Sequence, residues 1–125
     1  MKRTEIRRKS PRRGRMSGLV RDMVLTRDGG SCVCCGDLLP AVWHAHHRLL
    51  RSRGGDDTTS NLCSLCSGCH SRVHSNPTWA TRLGFMVPSG QDPALWPVKL
   101  HLSRWSLPHG GAWVPASPAQ GQEAA

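Results

Sequence analysis

HHRLLRSRGGDDTTSNLCSLCSGCHSRVH, residues 46–74, decides the fold. A histidine pair, His46-His47, is followed by a polar loop around Gly54-Gly55 and then by Asn61. A short apolar run from Leu62 to Leu65 leads into Cys66-x-x-Cys69, which continues directly into His70-x-x-x-His74. Just upstream, CVCCG at 32–36 adds a second Cys-x-x-Cys, Cys32 with Cys35.

The chain around this stretch is small. It has 125 residues, 38% of them hydrophobic, with one Phe and no Tyr. One domain with a thin core is expected, and thin cores usually need a covalent or metal staple. The N-terminal MKRTEIRRKSPRRGR is charged and has no apolar run behind it, and no segment is long and apolar enough to span a membrane. An intracellular chain with no membrane partner and reduced thiols is therefore expected, where paired Cys-x-x-Cys units read as metal sites before disulfides.

The net charge of +9 is unevenly placed. Residues 1–27 hold ten basic and two acidic side chains, a net of +8, whereas residues 28–78 balance at four and four. The excess is an arm. It reads either as a solvated tail or, more sharply, as a segment that tracks nucleic-acid phosphates.

Local patterns predict the elements. Ser17 caps a helix over 18–27, with Leu19, Val20 and Met23 on one face, stopped by Asp28-Gly29-Gly30. Residues 41–46 alternate as a strand, with Trp43 on one side and His44 and His46 on the other. Leu62–Leu65 is a second strand, and Ser67–Ser75 a helix ended by Asn76-Pro77. A further short helix runs to Leu83. Phe85–Val87, Lys99–Trp105 and Ala112–Val114 are candidate strands, the last two joined at His109-Gly110-Gly111. The organisation is a disordered basic arm at 1–16, a central domain at 17–84, an extension of short strands at 85–114 and a disordered tail at 115–125.

Two Cys-x-x-Cys turns presenting Cys32, Cys35, Cys66 and Cys69 suit one tetrahedral structural Zn²⁺. Cys34 is an alternative to Cys35 by a one-residue slip, and Cys63 reads as a small buried side chain. At about 100° per residue, the thiol pair and the His70/His74 pair point about a quarter turn apart on one helix. One helix is thus expected to serve two metals. His46, at a strand end, is the natural third ligand beside His70 and His74, with His44 an open candidate. His47 points to the other side of an ideal strand and is free to act as a base. His101 and His109 read as surface residues.

CVCCG, HAHHRLLRSRGGDDTTSN and LCSLCSGCHSRVH together resemble the HNH endonucleases of the ββα-metal class, zinc-stabilised, over about residues 19–75. The likeness is greatest to small bacteriophage nucleases. It implies an α+β fold: a ββα-metal domain stapled by a four-cysteine zinc, with a basic N-terminal arm and a β-rich extension. It places His46, His70 and His74 on one catalytic divalent metal, and His47 as general base. Asn61 matches the middle Asn that holds the loop and orients the base. The chain departs from the family in having no acidic ligand here. Imidazole suits transition ions and Mg²⁺ prefers oxygen, so Mn²⁺, Ni²⁺, Mg²⁺ and Zn²⁺ all stay open.

The implied activity is hydrolysis of DNA phosphodiesters, by nicking or double-strand cutting, with low sequence specificity. Arg51 and Arg53 flank the Gly-Gly loop and would either clamp phosphates or simply solvate it. The phage likeness also implies a partnership with a terminase large subunit in genome packaging, in the host cytoplasm. Two other readings remain: a zinc-ribbon DNA-binding module without chemistry, and an RNA-directed or colicin-like nuclease.

Overall fold

The computed structural model describes residues 16–122. Ser17 caps α1 (Gly18–Arg27) through its hydroxyl, which accepts from the Val20 amide. The chain then passes through the first cysteine turn to β1 (His44–His47), which pairs antiparallel with β2 (Leu62–Leu65). α2 (Ser67–Ser75) and α3 (Pro77–Leu83) follow, and a separate antiparallel sheet closes the described chain in the order β3 (Val98–Leu100), β4 (Arg104–His109), β5 (Ala112–Pro115). The architecture is α+β, with a ββα unit of β1, β2 and α2 at its centre.

β2 is buried along its whole length, because α1 lies against it and its other face joins the main core. That core runs from the cysteine turns through Leu65, Val73, Ala80 and Phe85 to Val98 and Leu100, so the extension and the central domain share it. The first turn is tied to β2 by Val33 donating to the Ser64 carbonyl, at 2.9 Å.

The joint of the fold is Arg48, one residue past β1 and fully buried. Its guanidinium donates to the carbonyls of Gly84, Ser60, Pro93 and Trp96. Its backbone N–H donates to Asn61 and its carbonyl accepts from Val87, each at 2.9 Å. Burial lowers its pKa to about 10, so it stays charged at neutral pH, balanced by carbonyl dipoles. No acidic side chain among the described residues forms an ion pair with it.

Several elements differ from the sequence expectation. β1 starts at His44 and not at 41, because β2 offers partners only from Leu62 to Leu65 and His44 already faces Leu65. The inward side of α1 carries Val20, Arg21 and Val24, while Leu19 and Met23 are exposed. Arg27 closes over the buried Asp28, whose carboxylate also accepts from the Ser64 amide and the Trp113 indole. Polar anchoring thus sets the helix face that hydrophobicity alone misplaces. Phe85–Val87 is buried but is no strand: Phe85 and Met86 N–H groups close the end of α3 on Ala80, and Val87 bonds Arg48.

The 99–105 run is two strands, not one. His101 and Leu102 turn with positive φ, 54° and 57°, and the His101 N–H is held by the Val33 carbonyl at 2.7 Å. No glycine marks that turn, so its sequence gives no signal. The β4–β5 turn lies at His109–Gly110–Gly111 as expected. Beyond β5 the chain returns to the core: Gln122 is buried, its Nε2 donating to the Pro97 carbonyl, and Ala119 packs on Leu49, Val87 and Trp96. Residues 116–122 therefore have a fixed course where a disordered tail was expected. Residues 1–15 of the basic arm lie outside the described residues.

Removing the Arg48 guanidinium strands several buried carbonyls. The variant R48M is expected to lose about 3 kcal/mol or more of unfolding free energy in urea titration, in line with the cost of unpaired buried polar groups. A loss under about 1 kcal/mol would show that these bonds are replaceable.

Candidate functional site

The β1–β2 ladder and α2 bring two clusters to neighbouring faces of one helix start. Cys66 is the N-cap of α2, its Sγ accepting from the Cys69 amide at 3.5 Å. Cys32 and Cys35 approach from the first turn, where Gly36 donates to the Cys32 carbonyl at 2.8 Å. The four Sγ atoms of Cys32, Cys35, Cys66 and Cys69 lie within 4.8 Å of one another, and no Cys34 atom belongs to that group. Cys34 and Cys63 are buried, and burial pushes Cys63 up to about 12.

The four thiols suit a cation. Burial pushes the Cys35 thiol up to about 11, with Cys32 adding to the rise, while burial and then the neighbouring Cys34 raise Cys69. Burial acts on Cys32 as well, but backbone hydrogen bonds from Cys35, Cys66 and Cys34 outweigh it and lower that thiol. A divalent cation would hold all four as thiolates. The cluster could hold zinc.

The second cluster is of imidazoles. His46, His70 and His74 bring one ring nitrogen each within 4.8 Å of one another. His70 and His74 share a face of α2, their Nε2 atoms 3.1 Å apart. His46 is buried, and its Nε2 lies 2.8 Å from the Phe85 carbonyl. A carbonyl only accepts, so Nε2 carries the proton and Nδ1 is the lone-pair nitrogen. Orientation by a backbone carbonyl is the usual support for a metal-ligating histidine.

Burial lowers the His46 pKa to about 3 against a smaller upward pull from Phe85, and burial followed by the nearby His44 and His74 lowers His70 to about 4. Both are thus neutral donors at neutral pH, the form a metal needs. His44 stacks on His70, with ring centroids 4.2 Å apart, and meets the Ser67 hydroxyl at 3.2 Å. It supports the ring of His70 and is outside the three-nitrogen group.

His47 turns away from His46, and its Nε2 lies 2.7 Å from Asp57 Oδ1. Arg51 Nη2 meets the same oxygen at 2.8 Å. Burial would raise the Asp57 pKa, but hydrogen bonds from His47 and Arg51 outweigh it and hold the carboxyl below its ordinary value. Asn61, fully buried, clasps the loop: Oδ1 accepts from Leu49 N–H at 2.7 Å, and Nδ2 donates to the carbonyls of Leu49 and Asp56. Its bonds are to the loop backbone, and it does not touch the His47 ring directly.

His46, His47, His70 and His74 line a cleft of about 650 Å³ whose wall includes Arg21 and Arg51. Arg21 stacks on Trp43, its guanidinium carbon 3.9 Å from the ring centroid, and donates to the Trp43 carbonyl at 3.1 Å. Arg53 is exposed and is not part of that wall. His101 and His109 are exposed and lie outside the cluster of ring nitrogens.

Residues 32–76, which carry both clusters, match the sequence model of the family described as HNH endonuclease. Residues 32–76 are an HNH domain. The chain is also 33% identical over 63 residues to the type IV methyl-directed restriction enzyme EcoKMcrA of Escherichia coli strain K12, covering 45% of this chain. It spans 23% of that relative's length, so the likeness is to one part of that enzyme. No helix among the described residues is long and apolar enough to cross a membrane.

Sequence reasoning missed Arg48, Asp57 and Arg21. Arg48 had a signal: it has the strand parity of the buried His46, two residues before it. Asp57 had none that separates it from Asp56. For the thiol cluster, elemental analysis is expected to find at least one zinc per chain in the purified protein, and C69S is expected to lose one zinc together with its helical circular dichroism. Full metal content in C69S would remove Cys69 from the site.

Proposed function

We propose that this chain is a metal-dependent endonuclease that hydrolyses DNA phosphodiester bonds with low sequence specificity. The observation that carries the reading is the convergence of three imidazoles beside a fourth, His47, in one cleft, separate from the four thiols. The donor set fits one divalent cation held by His46, His70 and His74, of the Mn²⁺, Ni²⁺, Mg²⁺ or Zn²⁺ kind. When bound, such an ion supplies positive charge to the scissile phosphate and the leaving oxygen.

The protein side chains do the rest. His47 takes a proton from water and directs the hydroxide in line with the departing 3′-oxygen, giving a 5′-phosphate and a 3′-hydroxyl. Asn61 holds the loop beside it. Arg51 and Arg21 are on the cleft wall, and in this reading they bind phosphates flanking the cut, with Arg53 binding phosphate outside the cleft. The basic N-terminal segment adds affinity that does not depend on sequence. With about six of its charges on phosphates, log K is expected to fall with log salt at a slope near −5. The zinc of the four thiolates is structural in this reading, and the terminase large subunit is the partner the phage likeness favours.

The test is plasmid relaxation. Purified protein is expected to nick or cut supercoiled DNA with Mn²⁺, Ni²⁺ or Mg²⁺ and to be silent in EDTA. H47A is expected to lose about a hundredfold or more of the rate while keeping its zinc. Both methylated and unmethylated plasmid belong in the assay, since the relative is named for methyl-directed restriction. DNA binding without cleavage across all metals would favour the zinc-ribbon module, and preferential cutting of RNA the colicin-like reading. Wild-type cutting by H47A would remove His47 as the base.

A further inference from the structure

We propose that Asp57 is the positioning residue for His47: its carboxylate fixes the ring and the tautomer of that imidazole, leaving Nδ1 as the nitrogen that takes the proton from water. This rests on the nuclease reading above and adds a residue to it.

The contact itself is short, 2.7 Å from His47 Nε2 to Asp57 Oδ1. An ionised carboxylate only accepts, so Nε2 must be the protonated nitrogen. No hydrogen bond among the described residues engages Nδ1 of His47. A carboxylate that orients an imidazole in this way selects which nitrogen keeps its lone pair, and the wrong tautomer has no base to offer.

The surroundings hold the carboxylate in place. Arg51 binds the same Oδ1, at 2.8 Å, giving a chain from guanidinium to carboxylate to imidazole. Both the His47 and Asp57 side chains are shielded, at 16% and 29% exposure, so the contact is not a loose surface pair. The residue before Asp57 is fastened twice: Asn61 Nδ2 donates to the Asp56 carbonyl at 3.1 Å, and Thr58 Oγ1 donates to the Asp56 carboxylate at 2.8 Å. Gly55, two residues before Asp57, lies so close to β1's continuation that a Cβ there would stand 1.7 Å from the Leu49 carbonyl oxygen. Only glycine lets the loop come near enough for Asp57 to reach His47. Asn61 and the Gly-Gly pair therefore act on the base through Asp57, because neither touches its ring.

Two readouts test this, one of them independent of cutting. Long-range ¹H–¹⁵N correlation on the imidazoles of the zinc-loaded full chain, at a pH where His47 is neutral, is expected to show His47 with its proton on Nε2. In D57A that preference is expected to be lost. A wild-type His47 carrying its proton on Nδ1 overturns the proposal, and needs no variant to fold.

In single-turnover nicking, D57A is expected to lower the rate constant about 10- to 100-fold, the range for groups that orient a working ligand or base. DNA affinity by anisotropy is read beside it, since D57A also frees Arg51, and the rate loss is expected to persist at saturating protein, with D57E restoring part of it. A D57A rate equal to wild type, or a loss that follows DNA affinity alone, would reduce Asp57 to a loop anchor. A wild-type protein that cuts nothing with any metal, yet keeps the Nε2 proton on His47, would sink the nuclease reading and leave the Asp57–His47 orientation standing.

Discussion

The buried guanidinium of Arg48 is the interaction on which the site geometry depends. It draws together the end of the loop at Ser60, the cap of α3 at Gly84, and the extension at Pro93 and Trp96. The carbonyl of Phe85, next in chain to Gly84, is the one that fixes the tautomer of His46. Asn61, next to Ser60, holds the loop that carries Asp57 to His47. A single residue following the histidine pair thus anchors the supports of both its imidazoles. A buried cation held only by carbonyl dipoles is expensive to desolvate, and four oriented acceptors are what offset that cost.

The second constraint is the N-terminus of α2. Placing Cys66 at the cap, Cys69 in the first turn and His70 beside it puts thiols and imidazoles on neighbouring faces of one short helix. The helix is only nine residues long and would be marginal alone. Its thiol side could hold a zinc, and a structural zinc at such a site contributes on the order of 10 kcal/mol of apparent folding free energy. The imidazole side would share that rigidity, which any metal or binding site needs to hold its groups in register.

Much of this was legible in the residues. The spacing of the cysteines and the His70–His74 interval announce two clusters on one helix, and the structure brings those same seven side chains into two groups. Helices at 18–27, 67–75 and 77–83 follow from caps, Pro and Gly, and the strand at 62–65 from its short apolar run. Other features were hidden for physical reasons. The face of α1 is set by Arg21 on Trp43 and Arg27 on Asp28, polar contacts that a hydrophobic pattern cannot register. The break at His101–Leu102 depends on a hydrogen bond to Val33, far away in the chain. Asp57 and Asp56 are adjacent and chemically identical, and only the folded loop decides which one meets His47.

In the proposed nuclease one helix serves two separate metals. Anomalous diffraction from crystals grown with zinc and soaked in Mn²⁺, collected on both sides of each absorption edge, tests it most directly. Two distinct sites are predicted: zinc bonded to Cys32, Cys35, Cys66 and Cys69, and a second ion bonded to Nδ1 of His46 and to His70 and His74. One ion shared between thiolates and imidazoles, or a second ion that avoids His46, would contradict the account.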